Sequence, residues 1–569
     1  MEWPLPTRGL LEPTGTLRDA AALHKKIVAR LEELDREAQA LKSRNNSIAP
    51  INRLPPEVLS NILQYSYVAA QPDEDVRDYY DGPNFTWIWV THVCRRWREV
   101  ALRCSTLWSE SLSFTKPEFA RAAINRSRDA PLEITYQNKP NERIDSLREA
   151  LSQIHRIRSV NIYHNGDFSQ LRLKHLFELN GWSGTAPILE TLRLSTGPVV
   201  DMPEVLLKGG APALKELSIG GVSLKSWSYI PLGAALVHLD LSNAPGTPRP
   251  AWIDFLEALR RMPQLKRLSL SHFLPIGGYS SHSELSWSST TLPALESLGL
   301  TDDAFAIVNT LNRIGRLPYS ANLNISVCDP VNEEEPVIQL LDAVKACWAE
   351  KTHNPPRFLE IMQFNYSSRN TNEAQVRFGV AFEDGEEKTI YHWSSADLTL
   401  SFLKPELGIN RLVLAFTNQW DLSLVQALEV FGTINITQDS WTAILGKFPK
   451  LREILIYTDP SLNLLGVLRL VQSPNSGEAI ESPQPAWLYL PALSRVQFID
   501  VYHGRRQGIM EEVLAFLTSR SQCMLAPLKE VRFSGEGSIY EVDVERIRTA
   551  CPGLNVVWDE ESGSSDEED

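Results

Sequence analysis

The side chains able to do covalent or acid–base chemistry are spread thinly through this chain. Its six cysteines, Cys94, Cys104, Cys328, Cys347, Cys523 and Cys551, stand far apart, and none forms a C-x-x-C pair. Neither a zinc cluster nor a disulfide framework is expected from that spacing, and buried thiols are. The eleven histidines are dispersed, with no neighbour at metal-ligand spacing. There is no glycine-rich phosphate loop, no H-E-x-x-H and no G-x-S-x-G. The nearest string, Gly181-Trp182-Ser183-Gly184, lacks the spacing of a nucleophile elbow. Catalytic groups would have to converge from distant segments. The expectation is a non-enzymatic protein with no catalytic residues, no metal and no cofactor, whose working chemistry is non-covalent.

The densest apolar segment is where such chemistry concentrates. From Ile51 the chain reads INRLPPEVLSNILQYSY, and after an insert TWIWVTHVCRRWREVALRCSTLW. Pro55 and Pro56 suit a helix start, because the first helical N–H groups have no internal partner. Val58, Leu59, Ile62, Leu63 and Tyr65 give the first helix a broad apolar face. Trp87, Val90, Cys94, Trp97 and Ala101 recur at spacings of three and four in the second, leaving Arg95, Arg96, Arg98 and Glu99 to solvent. About sixty residues cannot hide this much apolar surface among themselves. The adjoining chain or a partner must cover it, and an exposed apolar patch usually marks an interaction site.

Leu54-Pro55-x-Glu57-x-Leu59-x-x-Ile62, then Val93-Cys94-Arg95-x-Trp97-Arg98, then Leu107-Trp108 resembles an F-box, in the version found in the F-box-like group of filamentous fungi. The resemblance implies a three-helix module that docks the SKP-family adaptor of an SKP–cullin–F-box ubiquitin ligase core, with the following body choosing an unknown client protein. Carried onto this chain, it implies an adaptor-binding set of Leu54, Pro55, Glu57, Leu59, Ile62, Val90, Cys94, Trp97, Leu107 and Trp108. The competing reading of several of these is that they form the helical core. Gln71 to Asn84, with five acidic residues, interrupts the module where the family's form is shorter; a solvated loop is expected there, with altered docking geometry as the alternative.

Beyond about residue 108 one phrase keeps returning: Pro, one residue, then L-x-x-L-x-L. It reads APILETLRL from Ala186, APALKELSI from Ala211, MPQLKRLSL from Met262 and LPALESLGL from Leu292, with ALVHLDL from Ala235 lacking the proline. Later copies are FPKLREILI from Phe448, LPALSRVQF from Leu490, APLKEVRF from Ala526 and a terminal CPGLNVV from Cys551. The fourth and sixth places fall on one strand face and point inward, the first anchors the entering turn, and proline ends what precedes it. Helices such as Trp252 to Arg261, with Trp252, Phe255, Leu256 and Leu259 on one side, fit between. Such units bury their apolar faces only by stacking. This part resembles the leucine-rich-repeat family, which implies an α/β fold: an irregular solenoid of parallel strands and outer helices behind the N-terminal helical module. The regular family carries Asn three residues after the sixth-place Leu; here Gly197, Val222, Ala244, Phe273 and Asp303 stand there, so uneven curvature is expected. Asn354 to Lys404 breaks the pattern. Phe364–Phe382 and Lys388–Phe402 read as hairpin strands around Glu383-Asp384-Gly385-Glu386, either an insertion or a local change of strand order.

The expected organisation is a helix and linker over 1–50, the F-box-like module over 51–112, the repeat body over 113–558 with its insertion near 354–404, and an acidic disordered tail over 559–569. Within the first segment, residues 24–41 fit three heptads, with His24, Leu31 and Ala38 at a and Ile27, Leu34 and Leu41 at d. Weak self-association there and a solvated helix packing on its own chain are equally compatible. Half of the net charge of −14 comes from seven acids within the last eleven residues. The body is thus mildly acidic, and nucleic acid is not expected as a partner. No run of about eighteen apolar residues would span a membrane, and Met1 to Leu11 lacks a secretion signal's apolar core, so a cytoplasmic or nuclear location is expected. In a solenoid the inner strand face is the usual binding surface, here Arg193, Lys215, Glu216, His238, Lys266 and Arg267. The alternative function is a repeat scaffold whose F-box-like helices only cap the solenoid.

Overall fold

The computed structural model describes residues 4–11, 20–69, 86–110, 112–137, 144–164, 184–201, 206–207, 209–224, 226–276, 292–368, 371–382, 396–432, 435–457, 462–469, 490–500, 506–521, 528–535, 539 and 541–558. The insert at 71–84, the string at 181–183, Cys523, the turn at 383–386 and the acidic tail lie outside them. The chain divides into two compact units. One comprises Met1–Asn165, Leu171–Leu192 and Leu207–Ala211; the other takes the remainder, chiefly Pro212–Asp569.

The first unit is mostly helical: α1 (Leu5–Leu11), α2 (Ala20–Ile48), α3 (Pro56–Ala69), α4 (Arg95–Arg103), α5 (Ser105–Glu110), α6 (Pro117–Arg126) and α7 (Ile144–Leu151), with 3-10 turns at Pro50–Arg53 and Thr86–His92. Strands β1 (Leu132–Tyr136) and β2 (Ile157–His164) pair in parallel. Helix α2 contains no buried residue, and Leu31 and Leu41 of its heptads are exposed, while Ile27 and Leu34 are half-buried. Strand β3 (Thr191–Asp201) contains the point where the chain passes from one unit to the other.

The second unit holds β4 (Glu216–Ser223), β5 (His238–Asn243), β6 (Arg267–Ser271), β7 (Ser297–Asp302), β8 (Asn322–Val327), β9 (Phe358–Ser368), β10 (Thr371–Ala381), β11 (Leu398–Phe402), β12 (Ala427–Phe431), β13 (Glu453–Tyr457), β14 (Arg495–Ile499), β15 (Glu530–Ser534) and β16 (Asn555–Trp558). Their order is β4-β5-β6-β7-β8-β11-β10-β9-β12-β13-β14-β15-β16. Helices alternate with them: α8 (Trp252–Arg260), α9 (Ala304–Leu311), α10 (Glu335–Cys347), α11 (Ile409–Asn418), α12 (Gln438–Leu445), α13 (Leu462–Leu468), α14 (Arg506–Ser521) and α15 (Glu541–Ala550). Successive helices from α9 onward pack against one another in a row. This is the α/β, leucine-rich-repeat-like solenoid that the recurring phrase implies.

The leucines do what their spacing requires. Fourth-place residues align across strands as Leu217, Leu239, Leu268, Leu298, Leu323 and Leu398, and sixth-place residues as Ile219, Leu241, Leu270, Leu300, Ile325 and Leu400. All are buried. The first-place residue closes a turn, its N–H bonding back to the carbonyl three residues earlier, as from Leu236 to Gly233, Leu265 to Met262, Leu295 to Leu292 and Leu451 to Phe448. Trp252, Phe255, Leu256 and Leu259 of α8 are buried together.

Two details differ from the sequence reading. The first hairpin connection falls between Ser368 of β9 and Thr371 of β10, inside the stretch read as one strand from Phe364 to Phe382, and the strand expected from Lys388 is defined from Leu398. Strand order is therefore locally reversed, and β10 runs against its neighbours β9 and β11. The strand ends also solve their capping problem at the eighth place of the phrase, one position before the family's Asn. His272, Gly432, Asp500 and Gly535 stand there, each one residue past its strand, with φ of 50°, 62°, 51° and 95°, while Gly221, with φ of 70°, makes a bulge inside β4. In other units a side chain caps instead: Asn243 Oδ1 accepts from Leu224 N at 3.0 Å, and Asp302 Oδ2 from Leu274 N at 3.1 Å. Both devices give the backbone a way out of the strand without orphaned amides.

Candidate functional site

Helices α3 to α6 and the two 3-10 turns make a module with a core of its own. Leu59 and Leu63 of α3, Trp97 and Ala101 of α4, Cys104, Leu107 and Trp108 and, from α6, Ala123 are buried together, with Ile62, Val90, Cys94 and Val100 packed at their edge. The buried polar atoms are paired. Trp97 Nε1 donates to Asn52 Oδ1 at 2.7 Å, Asn52 Nδ2 donates to the Asn46 carbonyl at 2.6 Å, and Trp108 Nε1 donates to the Ala101 carbonyl at 2.7 Å. The Arg126 guanidinium lies 4.5 Å from the Trp108 ring centroid. Tyr67 Oη donates to the Glu110 carbonyl, tying the end of α3 to that of α5.

Within the first unit the module is joined to the strands. Phe114 meets Tyr136 of β1 edge-on at 5.7 Å. Buried Arg156 donates to Ser127 Oγ and to the carbonyls of Ala130 and Ile124, and burial holds its pKa below the ordinary guanidinium value.

The residues carried over from the family motif separate into two sets. Leu59, Trp97, Leu107 and Trp108 are buried within the module, and Leu54, Ile62, Val90 and Cys94 are half-buried; Pro55 and Glu57 are exposed. The spacing explains the split: Leu59, Ile62, Leu63 and Tyr67 share one side of α3, and Val58, Tyr65 and Val68 the other. That second side is open, with Val58 42%, Tyr65 77% and Val68 62% exposed. Ile51, Trp89, Val93 and Leu102 of the same module are exposed too. The apolar spacing places Val58 and Tyr65 with Leu59, Ile62 and Leu63 in one broad face and gives no mark of Asn52. Its place two residues ahead of the Leu54-Pro55 pair is the available signal.

The strand face of the second unit changes character along its length. Asp240, Ser269 and Asn324 at fifth places are exposed. The polar residues expected to hold a client are partly engaged within the chain: Arg193 pairs with Glu216 at 2.6 Å and Lys266 with Glu296 at 2.7 Å. On β9 and β12 the corresponding Glu360 and Glu429 are buried and opposite one another in register. Burial and the neighbouring Glu360 push Glu429 up to about 8, and burial also raises Glu360, against the pull of Arg377 with Nε 3.8 Å away. Gly379 on β10 leaves room for the Glu360 side chain, which a Cβ there would strike.

Cys328 Sγ lies 3.9 Å from His272 Nε2, but burial and the charges of Asp302 and Asp329 push its thiol up to about 11. Such a thiol stays protonated at neutral pH and is a poor nucleophile. Among the described residues no three His, Cys, Asp or Glu side chains are grouped to hold a metal ion, and no helix is long and apolar enough to cross a membrane.

No protein-family model matches this chain, and no curated protein does. Among solved structures it is similar to an LRR protein of Leptospira interrogans at 13% identity, over 77% of this chain and 97% of that one, with a TM-score of 0.24. It is also similar to the complex of Rad7 and Elc1 in yeast at 10% identity, over 96% of this chain and 98% of that one, with a TM-score of 0.23. Scores this low do not establish a shared fold; the leucine ladders above do that for the repeat architecture.

Proposed function

We propose that this chain is the client-recognition adaptor of an SKP–cullin–F-box ubiquitin ligase, with the helical module docking the SKP-family subunit and the repeats holding a client protein. One observation carries the reading: the module completes a buried core and still leaves Val58, Tyr65, Val68, Trp89 and Val93 exposed. Solvent-facing aromatic and aliphatic side chains gathered on one small module are the usual mark of a protein-binding surface. In this reading Leu59, Trp97, Leu107 and Trp108 fix the helices, while Pro55, Glu57 and the open side of α3 meet the adaptor. The chain contributes no chemistry itself and accelerates ubiquitin transfer by holding the client near the ligase core.

A second reading has its own support. Arg156 and Phe114 fasten the module to the first strands, as a cap on the end of a solenoid requires. Co-purification of tagged full-length chain with an SKP-family subunit separates the two. The ligase reading expects the subunit in the eluate, and its loss with Val58→Asp/Tyr65→Asp; a pure cap expects none with either protein.

A further inference from the structure

Helix α4 carries its outward charge almost entirely in one sign. Arg95, Arg96, Arg98 and Arg103 are exposed, and Arg53 joins them from the 3-10 turn ahead of α3. The exposed carboxylates on these elements and the start of α3 are Glu57 and Glu99. Five arginines against two carboxylates stand out in a chain whose formal net charge is −14. Among the described residues none of the five is in an ion pair. Arg96 donates to the Leu54 carbonyl, Arg53 to the Ile48 carbonyl, and Arg98 lies 3.4 Å from His92 Nδ1. Elsewhere arginines find carboxylates, as Arg249 does with Asp302, Arg411 with Glu334 and Arg469 with Glu512. Between α3 and α4 runs a groove of about 370 Å³ lined by Pro56, Ser60 and Val100 and by Arg96 and Arg103 beside Glu57 and Glu99, so the excess of positive charge lies on the outer face of α4, at Arg95 and Arg98, rather than in the groove.

We infer that this α4 face receives an acidic protein surface, the carboxylate-bearing side of the same adaptor subunit whose apolar side meets α3. The inference rests on the docking role proposed above and adds the partner's charge to it. Unpaired guanidinium groups gathered on nine helical residues repel one another in the free chain, and a carboxylate-rich partner relieves that repulsion and is steered toward the face as it approaches. Arginine is the side chain suited to this, with a fork that grips carboxylates in pairs of hydrogen bonds. Exposed Val93 and Leu102 lie among the arginines, and the chain as a whole is acidic. Both features favour a mixed apolar and acidic protein surface over a phosphate backbone.

The test measures association of the full-length chain with purified SKP-family subunit across rising NaCl, for the native protein, Arg98→Glu/Arg103→Glu and the conservative Arg98→Lys/Arg103→Lys. Both residues are exposed, and equal melting temperatures will confirm that the variants fold. The charge-reversed protein is expected to associate about tenfold more slowly, with a flatter salt dependence, and the lysine protein to keep most of the native rate. A charge-reversed protein that binds with native rate and salt slope overturns the α4 inference while leaving the docking role intact. A native chain that binds no subunit removes both. Tighter binding of a short DNA duplex than of the subunit, lost on charge reversal, overturns the assignment in favour of nucleic acid.

Discussion

Asn52 holds together more of the helical module than a single polar side chain usually does. Its amide accepts from Trp97, donates to the Asn46 carbonyl and lies 3.7 Å from Cys94 Sγ. Asn52→Ala leaves the buried Trp97 N–H without its acceptor, and the expected loss is about 1–3 kcal/mol, measurable by urea unfolding followed by circular dichroism. Glu429 sets a different kind of residue-scale expectation. Its folded pKa of about 8 lies above the ordinary 4.5, so the folded protein keeps a proton that the unfolded chain releases. Stability from this group is fully present below about pH 4.5 and falls as pH rises toward 8. Glu429→Gln should flatten that fall and raise the melting temperature at pH 8 relative to the native protein, with little difference at pH 4.5. Neither residue was legible in the sequence: an Asn in a Pro-rich turn and a Glu in a strand look like solvated surface until the fold encloses them.

At the scale of elements, α3 shows how far periodicity reads and where it stops. The spacing of its apolar residues identified a helix, but with Val58, Leu59, Ile62, Leu63 and Tyr65 all apolar the pattern does not say which side turns inward. Packing against Trp97 and Leu107 decides it. The two sides should therefore respond differently. Leu59→Asp places a carboxylate in a closed apolar core and is expected to unfold the module, whereas Val58→Asp should leave its thermal unfolding within about 0.5 kcal/mol of native and weaken adaptor binding. The ends of the repeat strands carry a similar lesson. The phrase marks the strands, and the ninth place, where the regular family keeps Asn, holds no Asn in these repeats. The chain uses the eighth, by positive φ at Gly432 or His272 and by side chains at Asn243 or Asp302. Gly432→Ala is expected to cost about 2 kcal/mol or more, because a Cβ there meets the Gln363 carbonyl oxygen and the backbone is left-handed.

For the whole molecule, the solenoid was readable because one constraint, a pair of apolar residues two places apart facing inward on each repeat strand, recurs wherever the units stack. The reversal of β9, β10 and β11 was only half readable: alternation marked the strands, but the connection between Ser368 and Thr371 lies inside a stretch that alternation reads as one strand. The site was legible as a module and illegible as a surface, since burial separates Leu59 and Trp97 from Val58 and Tyr65 and no spacing rule does. The docking role stands on that surface being free to take a partner. Light scattering of the purified full-length chain mixed with an SKP-family subunit at micromolar concentration tests it most directly. A one-to-one complex that disappears with Val58→Asp/Tyr65→Asp is the predicted result; two species that elute separately, each at its own mass, would contradict it.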